Sequence, residues 1–149
     1  MGEWFDNGIF RVQVPSGWKL FHGTDSDGKR TQKKVHICKA GNHETDIFTH
    51  ICITICFFGR QDYYLSPKFF YDDVTDLEAF ALGAHIWNGY TCTSLGYPYT
   101  MLNAQCDGCI FQVMLLMRNG EYEISLNDAD VQMLIASIAS SAKQSGTGG

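Results

Sequence analysis

The sequence predicts an α+β domain, an antiparallel sheet with helices packed on it, and three observations carry that expectation. Several short segments alternate apolar and polar residues with the two-residue period of strands. Asp-Gly and Asn-Gly pairs stand between such segments, as they do in tight hairpins. Helix-start signals appear at "SPKFF" and "TDLEAF", and a helical apolar stripe closes the chain.

The first strand is "IFRVQV", with Phe10, Val12 and Val14 on one side and Ile9, Arg11 and Gln13 on the other. "PSG" turns it, and Trp18 to His22 returns as a second strand. "TDSDGKR" holds the Asp, Ser and Gly of a loop, and a third strand runs from Lys33 to Lys39. Beyond the loop "AGNHETD", the run "IFTHICITICFF" is β-branched, aromatic and apolar on both faces, which marks a central strand.

Helix signals follow. Ser66 is placed as an N-cap with Pro67 at the first helical position. Thr75 and Glu78 form a capping box ahead of Leu77, Phe80 and Ala81. From Trp87 the chain reads as a meander. Taking "CDGC" and "RNGE" as two-residue hairpins pairs Cys106 with Cys109, Ala104 with Phe111 and Leu102 with Val113, then Leu115 with Ile124 and Met117 with Tyr122. The last element begins near Asn127, with Asp128 and Asp130 where the helix dipole favours acids. Val131, Leu134, Ile135, Ile138 and Ala142 form its apolar stripe. One domain therefore spans 1–142, and the Gly/Ser-rich residues 143–149 are a flexible tail.

Charge narrows the partners. The net charge of -5 is the wrong sign for a binder of phosphate backbones, so nucleic acid is not expected. The one basic run, Gly28 to Lys34, reads as a solvated hairpin edge protected by lysines. No stretch has the roughly 18 apolar residues of a membrane span. The N-terminus lacks a basic segment followed by an apolar core, so the expected compartment is the cytoplasm and the six cysteines are expected to stay reduced.

Candidate sites are few. Cys106 and Cys109 share the apolar face of a hairpin, where a thiol behaves as a small hydrophobe. A zinc site would need two more ligands, and a thiol-redox site would need a helix N-terminus or a cation beside the thiolate. "HIC" occurs twice, so a hairpin that sets His36 opposite His50 would place Cys38 and Cys52 on one face about 13 Å apart at strand rise. At most three of these four side chains would then share a metal, and the plainer reading is satisfied core histidines. "DSDG", from Asp25, starts like a calcium loop but lacks the downstream Glu, which leaves a turn. No nucleophile elbow, dinucleotide fingerprint or phosphate loop is present, so no cofactor is expected. The aromatics Tyr63, Tyr64, Phe69, Phe70 and Tyr71 in "DYYLSPKFFYDD" cover a core or line a pocket or interface.

"FRVQVPSGW", the long central strand, the helical insertion, the hairpin-linked meander and "DADVQMLIASI" together resemble the PsbP-like fold. That family includes an extrinsic photosystem II subunit and the nuclear-import factor that binds the GTPase Ran. The resemblance spans about Phe5 to Ala142 in layout and rests on Pro15, Gly17 and Trp18 with Val131, Leu134 and Ile138. It implies an α/β/α sandwich, with about six antiparallel strands covered by helices, that binds other proteins without catalysis. The expected function is a non-enzymatic protein-interaction or ligand-binding module with a protein partner. The alternatives are a metal-binding protein using His36, His50 and Cys38 or Cys52, and a thiol-redox protein using Cys106 and Cys109.

Overall fold

In the computed structural model the described residues are 2–39, 43, 47 and 50–141. The tail call for 143–149, Ala142 of the helical stripe and most of the "AGNHETD" loop lie outside them. The chain runs through β1 (Glu3–Asp6), β2 (Phe10–Val14), β3 (Trp18–Thr24), β4 (Arg30–Lys39) and β5 (Cys52–Phe58). It continues through β6 (Asp72–Leu82), β7 (His85–Ser94), β8 (Tyr97–Cys106), β9 (Cys109–Leu116), β10 (Arg118–Asn119), β11 (Tyr122–Glu123), α1 (Ala129–Ser137) and β12 (Ala139–Ser140). Seven strands make one antiparallel sheet in the order β3-β4-β5-β9-β8-β7-β6, and β1-β2-β12 make a second of three.

The α+β expectation and the α/β/α sandwich are thus overturned: among the described residues a single α-helix accompanies a fold that is mostly strand. The helix expected from the Thr75–Glu78 capping box is the edge strand β6, where Thr75 pairs with Thr91 and Phe80 with Trp87. Two register irregularities, between Asp72 and Thr75 and between Leu77 and Phe80, explain the misreading. Each bulge inserts an extra residue, so the half-buried Val74, Leu77 and Phe80 recur every third position as they would on a helix. The exposed acids Asp72, Asp73, Asp76 and Glu78, read as favoured at a helix start, instead protect a sheet edge from pairing with another chain.

The "CDGC" register holds: Cys106 pairs with Cys109, Ala104 with Phe111 and Leu102 with Val113. Asp107 and Gly108 have φ of 52° and 82°, the positive pair that a twist-matched two-residue turn demands. The second hairpin differs. Asn119 pairs with Tyr122 across a Gly120-Glu121 loop, and Ile124 N donates to Met117 O at 3.0 Å. The slip from the expected register is two residues, which leaves every side chain on its face, so alternation alone could not detect it.

The buried core lies on one face of the large sheet. Val35, Ile37, Ile53, Ile55, Phe111, Val113, Leu102 and Trp87 meet Phe10 and Val12 of β2 and Val131, Leu134 and Ile135 of α1. The helix is pinned at both ends. Trp18 Nε1 donates to Asp130 Oδ2 at 3.2 Å, and the buried His85 Nε2 donates to Ile138 O at 2.9 Å. Gly83 makes this approach possible, because a Cβ there would stand 2.1 Å from Ala136 O.

Candidate interaction surface

The opposite face of the large sheet is covered differently. Strands β5 and β6 run parallel with β9, β8 and β7 between them. The thirteen residues between Phe58 and Asp72 must therefore carry the chain back along the sheet before β6 can start. They do so across this second face, as an extended segment with one 3-10 turn at Pro67–Phe70 in place of the expected helix.

Alternation along that segment sets its two sides. Tyr64 points inward, edge-on to Phe58 with ring centroids 4.9 Å apart. The Ser66 hydroxyl accepts from Lys68 N at 3.4 Å and so caps the turn. Lys68 Nζ pairs with Asp76 and lies 5.5 Å from the Tyr90 ring centroid. Tyr71 packs with Val74, Tyr99 and Met114 around Tyr90, Cys92 and Met101. Burial pushes the phenols of Tyr64, Tyr71 and Tyr99 up and that of Tyr90 to about 12, the signature of a covered layer.

What points inward forces its neighbours outward. Tyr63, Leu65, Phe69 and Phe70 are 82%, 63%, 93% and 80% exposed. Single exposed apolar residues are ordinary, but four within eight positions form a patch. At the same end of the sheet, the turn from β7 to β8 holds Leu95 at 94% exposure with φ 51°, a left-handed conformation that a leucine rarely takes. Asp72 pairs with Thr93, which sets this turn beside the Phe69–Phe70 end of the segment.

Of the expected aromatics, the structure thus places Tyr63, Phe69 and Phe70 outward and Tyr64 and Tyr71 in the covered layer. Leu65 and Leu95 were missed. Leu65 was legible, since it sits two residues from Tyr63 in an alternating run; Leu95 carried no signal beyond the Gly96 that follows it.

The expected His and Cys register is corrected. Cys38 pairs directly with Cys52 at a Cα separation of 4.2 Å and is joined to it by a disulfide. The two sulfurs are bonded to each other and so are not metal ligands here. His36 stands opposite Thr54, with Nδ1 2.8 Å from its hydroxyl, while His50 lies beyond the strand and stacks on Tyr122 at 4.7 Å. The error was one of register: the hairpin is offset by four residues from the one that matches the two histidines. Two cysteines are therefore oxidised, against the expectation that all six stay reduced. No helix among the described residues is long and apolar enough to cross a membrane. Among those residues no three His, Cys, Asp or Glu side chains converge on one point. Burial pushes the thiols of Cys56 and Cys92 up, which keeps them protonated and inert.

No protein-family model matches the chain, and no curated protein matches it. A 1.50 Å crystal structure from Bacteroides thetaiotaomicron VPI-5482 is similar in fold, with a TM-score of 0.52 and 14% identity. The match covers 93% of this chain and 48% of that one, so the chain spans about half the length of the protein it resembles.

Proposed function

We propose that this domain is a non-catalytic protein-interaction module whose contact surface is formed by Tyr63, Leu65, Phe69 and Phe70 with Leu95. The observation that carries this reading is the exposure of four large apolar side chains on one short segment whose inward residues, Tyr64 and Tyr71, pack on the sheet. Aromatic anchors held by a rigid support are what interfaces concentrate their binding energy on. The exposed acids Asp72, Asp73, Asp76 and Glu78 beside Phe69 and Phe70, on a chain of net charge -5, specify the partner's chemistry. It is a protein with an apolar groove rimmed by Lys and Arg.

Site-specific photocrosslinking in the source cells tests this. A crosslinker at Phe69 is expected to trap one basic-rimmed partner that a crosslinker at the exposed Gln132, on α1 across the sheet, does not trap. Identical products from both positions, or none from Phe69, would count against the reading.

A further inference from the structure

The two cross-strand cysteine pairs differ in their place on the hydrogen-bond ladder. Lys39 N donates to Ile51 O at 3.0 Å, so Cys38 and Cys52 occupy the neighbouring non-hydrogen-bonded position, where Cα atoms come closest. Cys106 and Cys109 flank a two-residue turn, the hydrogen-bonded kind of pair, with Cα atoms about 5.5 Å apart. Their side chains lean on the same core face, with Cβ atoms held toward the wide end of the cross-strand range, beyond the ~3.8 Å typical of a disulfide. Both thiols are free and half-buried.

We propose that Cys106 and Cys109 clamp a soft monovalent metal ion, Cu(I), between their sulfurs. A metal-sulfur bond of about 2.3 Å, the length known for zinc thiolates, sets two opposed sulfurs about 4.6 Å apart, which the wider pair accommodates. Zinc would require four ligands, whereas thiolate softness suits Cu(I). The groove of about 770 Å³ that both cysteines line admits the ion from solvent. Arg60 offsets part of the negative charge of the complex and of the Asp107 carboxylate, whose Oδ2 lies 4.0 Å from Cys106 Sγ. Its Nε donates to Asp107 O at 2.7 Å and lies 3.1 Å from where a Cβ on Gly108 would be, so a cation sits over the turn beside a complex that carries net negative charge. Binding forms two sulfur-copper bonds and releases the two thiol protons, with no change of oxidation state. This site is independent of the aromatic surface.

The test is anaerobic titration of the purified chain with Cu(I) against bicinchoninate, preceded by non-reducing alkylation and mass spectrometry. The expected result is a single disulfide, free Cys106 and Cys109, and one Cu(I) retained per chain. That equivalent is lost in Cys106→Ser and separately in Cys109→Ser, kept in the Cys56→Ser/Cys92→Ser double variant, and weakened in Arg60→Gln. Either serine variant that keeps the wild-type circular dichroism suffices. A Cys106-Cys109 disulfide in the purified protein, no retention of Cu(I), or full retention by the serine variants would overturn the proposal.

Discussion

The two faces of the large sheet are built on opposite principles. One is sealed by α1 and the small sheet over side chains that are almost wholly buried, such as Phe111 and Leu134. The other is crossed by a single extended segment, packed down through Tyr64 and Tyr71 and tied to β6 by the Lys68–Asp76 ion pair, that turns its largest apolar residues to solvent. The contrast teaches that one sheet can carry a sealed core on one side and a partly covered layer with exposed apolar side chains on the other: the strands are shared, and the side chains are not.

Substitutions on the sealed face should have the largest effect. Phe111 lies within 5.3 Å of the Phe57 ring and 6.2 Å of Phe10 and is fully buried. Phe111→Ala should lower unfolding free energy by about 3–5 kcal/mol, read from urea denaturation. An effect below 1 kcal/mol would break the comparison. Next comes the covalent link on the segment's side. Closing the 14-residue separation between Cys38 and Cys52 constrains the unfolded chain, so its reduction should cost about 3 kcal/mol. Urea midpoints with and without dithiothreitol measure this, and the Cys38→Ala/Cys52→Ala variant should no longer respond to the reductant.

A smaller effect comes from His36. Burial, aided by the Lys34 charge, holds its imidazole below the usual 6.5. The unfolded chain then takes up a proton near pH 6.5 while the folded chain takes it up only at lower pH. Stability from this group is therefore complete above 6.5 and is lost as pH falls through the folded value. His36→Gln, which can still bond Thr54, should flatten the decline of urea midpoints below pH 6.5. The smallest effect on stability belongs to the exposed patch. Phe69→Ser and Phe70→Ser should stay within about 0.5 kcal/mol of wild type in the same assay.

Much of the sealed face was legible in the sequence. Alternation identified β2, the PSG turn its return as β3, and a run apolar on both faces β5, while the Asp-Gly turn fixed the β8–β9 register and the stripe from Val131 located α1. What failed did so for identifiable reasons. Bulges in β6 imitated a helical period, and a two-residue slip at β10–β11 is invisible to alternation. The pairing of β4 with β5 was chosen by matching like histidines, although the pairing formed matches the cysteines. The PsbP-like layout carried the helical misreading with it, and with it the expected sandwich. Of the candidate surface, the aromatic segment was visible as composition. Which of its rings face solvent depends on the parallel crossover from β5 to β6, and that is a property of strand order which no local pattern encodes.

The most direct test of the contact surface joins stability and binding in one variant. The Phe69→Ser/Phe70→Ser double variant and the wild type would be compared for affinity to the partner crosslinked at Phe69, alongside their urea midpoints. A loss of affinity of about tenfold or more, the scale of an anchor residue, with an unchanged midpoint is the predicted result. Unchanged affinity, or a midpoint that falls with it, would contradict the division of labour between the two faces.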